Sequence, residues 1–92
     1  MFLIPDKNRL LLKERGVSFE EVIAVLNSLG PLDVLTHPNV NKYQNQKIYV
    51  VELRHYIYLV PFVESRESIF LKTIFPNRKA NKIYGSQEEN DE

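Results

Sequence analysis

The spacing of apolar positions along this chain changes from helical to strand-like near Lys47. From Phe19 to Leu29 the apolar residues Phe19, Val22, Ile23, Leu26 and Leu29 recur every third or fourth position, the signature of one helical stripe facing a core. Ser18-Phe19-Glu20-Glu21 forms a capping box at its start. The Ser18 hydroxyl takes an orphan amide near Glu21 while the Glu21 carboxylate reaches back, and Gly30-Pro31 ends the helix. A shorter helix is predicted from Lys7 to about Arg15, capped by Asp6 and stopped by Gly16. Phe2 to Ile4 and Leu32 to Thr36 read as short strands.

His37 to Gln46 is polar, with the Asn and Pro chemistry of a loop. Beyond it, β-branched and aromatic residues dominate in three strand-length runs: Lys47 to Leu53, Tyr56 to Val63, and Ser68 to Phe75. Arg54-His55 and Glu64 to Glu67 separate them, which predicts an antiparallel meander. Pro76 breaks the last strand, and Asn77 caps a short basic helix through Tyr84. The expected layout is therefore α+β: two N-terminal helices on one face of a mainly antiparallel sheet, with short extra strands and a short C-terminal helix. One domain spans 1–84, and 85–92 is read as a disordered acidic tail.

Alternation along the predicted strands sorts their side chains. One face holds Tyr49, Val51, Leu53, Tyr56, Tyr58, Val60, Phe62, Ile69, Leu71, Thr73 and Phe75, and is expected beneath the two helices. The other holds Ile48, Val50, Glu52, Ile57, Leu59, Pro61, Val63, Phe70, Lys72 and Ile74, also apolar except for one carboxylate and one ammonium. An apolar face of that size calls for a cover. Either the last helix folds over it, with Glu52 and Lys72 as a half-buried ion pair, or a partner protein covers part of it.

Composition narrows the classes. At 92 residues the chain is one small domain, whose core must offset about 1.5 kcal/mol of ordering entropy per residue, so size alone leaves room for a stabilising partner. The absence of cysteine rules out disulfides and thiolate sites and points to a cytoplasmic address. No leader peptide and no membrane span is expected. The formal charge is zero, yet Glu88, Glu89, Asp91 and Glu92 carry four of the twelve acids, so residues 1–84 hold twelve bases against eight acids.

The chemistry open to these residues is limited. His37 and His55 lie in different turns without carboxylates at ligand spacing, so no metal site or cofactor is expected. No nucleophile motif and no Gly-rich phosphate loop is present. What remains is the cationic run from Lys72 through Arg78, Lys79 and Lys82, at the junction of the last strand and the last helix. A helix amino terminus favours phosphate, Arg78 adds a planar fork of donors, and Lys72 and Lys79 add point charges. Such a group suits an RNA phosphate under attack by a 2′-hydroxyl, with Glu52 or a lysine of lowered pKa moving the proton. Tyr43, Tyr49 or Tyr84 would stack on a base. The alternatives are an ordinary solvated basic helix and structural tyrosines.

Three segments together carry a resemblance: Lys7-Asn8 through Arg15-Gly16-Val17-Ser18-Phe19-Glu20-Glu21-Val22; Asn45-Gln46-Lys47-Ile48-Tyr49-Val50-Val51-Glu52; and Tyr58-Leu59-Val60-Pro61-Phe62-Val63-Glu64 with Phe70-Leu71-Lys72-Thr73-Ile74-Phe75-Pro76-Asn77-Arg78-Lys79-Ala80. Over roughly residues 2 to 84 this order resembles the BrnT-like toxins of bacterial type II toxin-antitoxin pairs, which share the RelE/ParE-type fold. The resemblance implies a ribonuclease that cleaves RNA, free or ribosome-associated, without metal, and arrests growth. It also implies a cognate antitoxin, typically with a ribbon-helix-helix DNA-binding part through which the complex reaches operator DNA. Arg78 and Lys79 match the family's basic segment after the last strand, with Lys72 at its approach; Lys82 and Tyr84 extend it as RNA contacts. The alternative is a noncatalytic module of the same fold that docks an antitoxin and supports operon repression.

Overall fold

The computed structural model describes residues 1–6, 8–36 and 46–85. Its elements are β1 (Phe2–Leu3), α1 (Asn8–Arg15), α2 (Phe19–Ser28), β2 (Asp33–Thr36), β3 (Gln46–Leu53), β4 (Tyr56–Glu64), β5 (Ile69–Leu71), β6 (Phe75–Pro76) and α3 (Arg78–Tyr84). The α+β class and the three helices agree with the sequence reading. The sheet is larger than a meander with extras: six strands, mixed, in the order β1-β5-β4-β3-β2, with β6 also on β4. The β1–β5 pair is parallel and the remaining pairs are antiparallel. Most of the polar segment after β2 and most of the acidic tail lie outside the described residues, as does Lys7 at the start of the first predicted helix.

Local chemistry sets these elements. Ser18 caps α2 by accepting the Glu21 amide at 3.3 Å. The reciprocal half of the capping box is not made: one Glu21 carboxylate oxygen pairs with Arg54 on the β3–β4 turn, and the other is buried without a hydrogen-bond partner. Gly30, at φ +81, closes the other end in the left-handed conformation, its amide bonding to the Val25 carbonyl. Arg54 and His55 both have positive φ, 54° and 69°, the geometry of a two-residue type I′ hairpin turn. That turn pins the β3–β4 register, from Leu53 opposite Tyr56 to Gln46 opposite Val63.

The sheet has a core on each face. On one, Val51, Leu53, Val60, Phe62 and Leu71 pack with Leu11 of α1, with Val17, and with Phe19 and Val22 of α2. Tyr49 stacks on Phe62 there, ring centroids 3.9 Å apart. On the other, Val50, Ile57 and Leu59 pack with Ala80 of α3, flanked by Ile48, Phe75 and Tyr84. The last helix therefore covers the second apolar face.

Four sequence expectations are corrected. The run 68–75 is not one strand: β5 pairs with Phe62–Glu64 and β6 with Tyr58–Leu59, and residues 72–74 between them belong to no strand. Three residues there face two on β4, and the extra one reverses the alternation, as a bulge does. Ile74 consequently joins the core under α1 and α2, and Phe75 joins the core under α3, the reverse of the expected faces. Arg15 at the end of α1 donates to the Ile74 carbonyl that the broken strand leaves free. Leu29, expected on the buried stripe, is 88% exposed because it lies beyond the last turn that touches the sheet. The Glu52–Lys72 ion pair does not form; Glu52 sits opposite Ile57, whereas Lys72 bonds to Pro61, four residues along β4 and about 13 Å away.

Phe19 is fully buried, so Phe19→Ala is expected to destabilise the fold by about 3–5 kcal/mol in urea unfolding. Leu29→Ala, on the same sequence stripe, is expected to change stability by less than about 0.5 kcal/mol. A large loss at Leu29 would contradict the placement of α2.

Candidate functional site

The last helix is fixed at both ends by polar contacts that the sheet provides. At its start, Asn77 accepts the Ala80 amide at 2.8 Å, and the Asn77 amide donates to the Ile57 carbonyl at 3.3 Å. One turn on, the Asn81 side-chain oxygen accepts the Ile57 amide at 3.1 Å. Both backbone groups on that edge of Ile57, just past the end of β6, are thus satisfied by α3 and its cap residue Asn77. At the far end the Tyr84 hydroxyl donates to Asp33 Oδ2 on β2 at 2.8 Å. Spanning β4 to β2, α3 lies across the strands with Ala80 inward.

This mounting turns Arg78, Lys79 and Lys82 to solvent on a short, well-anchored helix. The three cations share one element on the face of the sheet opposite α1 and α2. Lys72 is not with them: its ammonium lies 5.2 Å from the Phe70 ring centroid, a cation–π contact at the strand break. Glu52 is half-buried on the α3 face, one strand over from Ile57, and among the described residues it makes no ion pair. Arg78 and Glu52 therefore flank the same stretch of β4, with Lys72 about 13 Å along it.

Two expected roles change. The amino terminus of α3 is no phosphate cradle, because the helix has only seven residues and Asn77 already takes its Ala80 amide. Any anion held here is held by side chains. Tyr84 is not a free stacking platform: it packs on the second core and its hydroxyl is committed to Asp33. Tyr49 is likewise part of the first core, and Tyr43 lies outside the described residues. Asn81 was not singled out in the sequence reading, although the recurrence of Asn four positions after the Asn77 cap is the signal that marks it.

The phenols register these surroundings. Tyr84 has its pKa raised above 10.0, first by the hydrogen bond to Asp33 and then by burial and the Asp33 charge. Tyr49 is raised as well, by burial first and by the Glu64 charge second. No helix among the described residues is long and apolar enough to cross a membrane. No protein-family model, curated protein or solved structure matches the chain.

A raised phenol pKa gives a contribution to stability that is complete below pH 10.0 and lost as pH rises through the higher folded-state value. The stability advantage of the parent over Tyr84→Phe is therefore expected to hold at neutral pH and to vanish under alkaline conditions, read by unfolding at a series of pH values. An unchanged advantage at high pH would contradict the Tyr84–Asp33 bond. Asn81→Ala, which leaves the Ile57 amide without its partner, is expected to destabilise by about 1–3 kcal/mol in the same measurement.

Proposed function

We propose that this chain is the toxin of a type II toxin-antitoxin pair, of the BrnT-like, RelE/ParE-type kind, and that it cleaves RNA in the cytoplasm without a metal. The observation that carries the reading is the anchored α3 with Arg78, Lys79 and Lys82 all turned to solvent. The sequence resemblance of the same segment supports it. A helix anchored to the sheet presents these cations from fixed backbone positions, so their placement around an RNA phosphate does not have to be ordered on binding. Arg78 offers two parallel donors to the non-bridging oxygens, and Lys79 and Lys82 follow the backbone on either side. Lys72 reaches another phosphate of an extended strand.

The reaction is an in-line displacement. The 2′-oxygen bonds to phosphorus as the bond to the 5′-oxygen breaks, leaving a cyclic phosphate and a free 5′-hydroxyl. Glu52 takes the 2′-proton, a lysine gives a proton to the departing oxygen, and Arg78 meets the charge that grows on the phosphoryl oxygens. A cognate antitoxin, with a ribbon-helix-helix part for operator DNA, neutralises the toxin.

The second reading, a noncatalytic module that docks an antitoxin, draws on the wide spacing between Lys72 and Glu52. Total RNA after induction of the chain alone separates the two. Cleaved RNA and arrested growth are expected from the parent, and neither from Arg78→Ala/Lys79→Ala at equal soluble protein. Intact RNA and normal growth with both would overturn the ribonuclease reading in favour of the module. Cleavage by both would remove Arg78 and Lys79 from the site.

A further inference from the structure

Beside the β3–β4 turn the sheet stops one strand short. The two-residue turn makes Leu53 and Tyr56 a hydrogen-bonded pair, so the backbone N–H and C=O of Glu52 point away from β4, toward the side on which β2 runs. β2 begins at Asp33, opposite Val50. Before it, Leu32 makes the last bond, its amide to the Val50 carbonyl at 2.7 Å, and Pro31 has no N–H to offer the next carbonyl. The chain leaves the sheet there, and a cavity of about 340 Å³ opens between the end of α2 and the edge of β3, with Val25, Leu29, Pro31, Leu32, Glu52 and His55 among its lining residues.

We infer that this open ladder position beside Glu52 binds an extended peptide segment of the pattern apolar–basic–apolar, added as a short strand to β3. Three observations select that occupant. The first is the outward-facing donor and acceptor of Glu52, which among the described residues meet no turn or loop group and match one peptide residue in antiparallel register. The second is charge: Glu52 lines the cavity on the face away from the Arg54–Glu21 pair, and among the described residues it makes no ion pair, so a cation directly across the ladder meets it. The third is alternation. A residue directly across from Glu52 points to the same face as Glu52, and its two neighbours point to the opposite face, where Val25 packs and Leu29 stands 88% exposed at the end of α2. A basic residue therefore meets Glu52 while the flanking apolar residues fall against α2. The acidic residues Glu88, Glu89, Asp91 and Glu92 have the wrong sign for this position, and the occupant proposed is a segment of a partner chain.

The probe is acetyl-Leu-Arg-Leu-amide, titrated into the isotope-labelled full chain and followed by amide chemical shifts. Saturable shifts are expected at Leu32, Glu52 and His55. Acetyl-Leu-Glu-Leu-amide is expected to bind more weakly by up to about fivefold, the upper worth of one exposed ion pair. The Leu-Arg-Leu peptide methylated on its arginine backbone nitrogen, which cannot donate to the Glu52 carbonyl, is expected to lose about as much. Glu52→Gln is expected to weaken the arginine peptide about fivefold and to leave the glutamate peptide no weaker. The proposal is overturned by equal binding of the arginine and glutamate peptides, by indifference to methylation, by shifts centred on α3, or by no saturable shift up to the peptide's solubility. The methylated peptide is tested on the unaltered protein, so the result stands even where Glu52→Gln disturbs folding.

Discussion

In an interior strand each backbone N–H needs a carbonyl across the ladder, and Pro61, within β4, has none to give. The hairpin turn at Arg54-His55 fixes which side of β4 that missing donor faces: Tyr56, Tyr58, Val60 and Phe62 bond to β3, so Ile57, Leu59, Pro61 and Val63 face the opposite side. On that side the neighbouring strand is present beside Val63, absent beside Pro61, and present again beside Leu59. The Pro61 carbonyl still accepts the Lys72 amide, at 2.8 Å. The gap in the strand thus falls at the one position where a ladder donor is lacking.

The fold's two-sided core follows from that gap. The extra residue in the break turns Ile74 beneath α1 and α2, with Arg15 holding its carbonyl, and turns Phe75 to the other side. The chain then continues into α3 on the second face, where Asn77 and Asn81 occupy the next edge position of β4 and Tyr84 reaches Asp33 on β2. Burying both faces gives a chain of this length a larger share of apolar contact than one helical layer would. It also decides where charge is displayed, since the exposed residues of α3 are its three cations together with Ile83.

Elements with strong local chemistry were legible in the sequence. The Ser18 cap, the Gly16 and Gly30 stops, the Arg54-His55 turn and the Asn77 cap each set a boundary through neighbouring residues, and the structure places those elements within a residue or two of expectation. The interruption after Leu71 was not legible from its own residues. Lys72-Thr73-Ile74 has good strand character, and the cause lies on another strand, in Pro61. One misread parity then exchanged Ile74 and Phe75 between faces; Glu52 and Lys72 are kept apart by register instead, opposite Ile57 and Pro61 respectively. Leu29 was misassigned for a different reason: helical spacing shows which face a residue shares, but not where the opposing sheet ends. Of the candidate site, the exposed cations of α3 were readable as a basic run. The commitment of Tyr84 to Asp33 and of Asn81 to Ile57 depends on long-range pairing that spacing does not encode.

The most direct test of the proline-centred account is a map of short proton–proton distances from Ile74 and Phe75 by nuclear Overhauser spectroscopy on the full chain. The account predicts that the Ile74 methyls contact Leu11, Val60 or Leu71, while the Phe75 ring contacts Leu59 and Val50. Contacts from Ile74 to Leu59 and Val50, with Phe75 beneath α1 and α2, would mean an unbroken strand running past Pro61, and would contradict the account at its root.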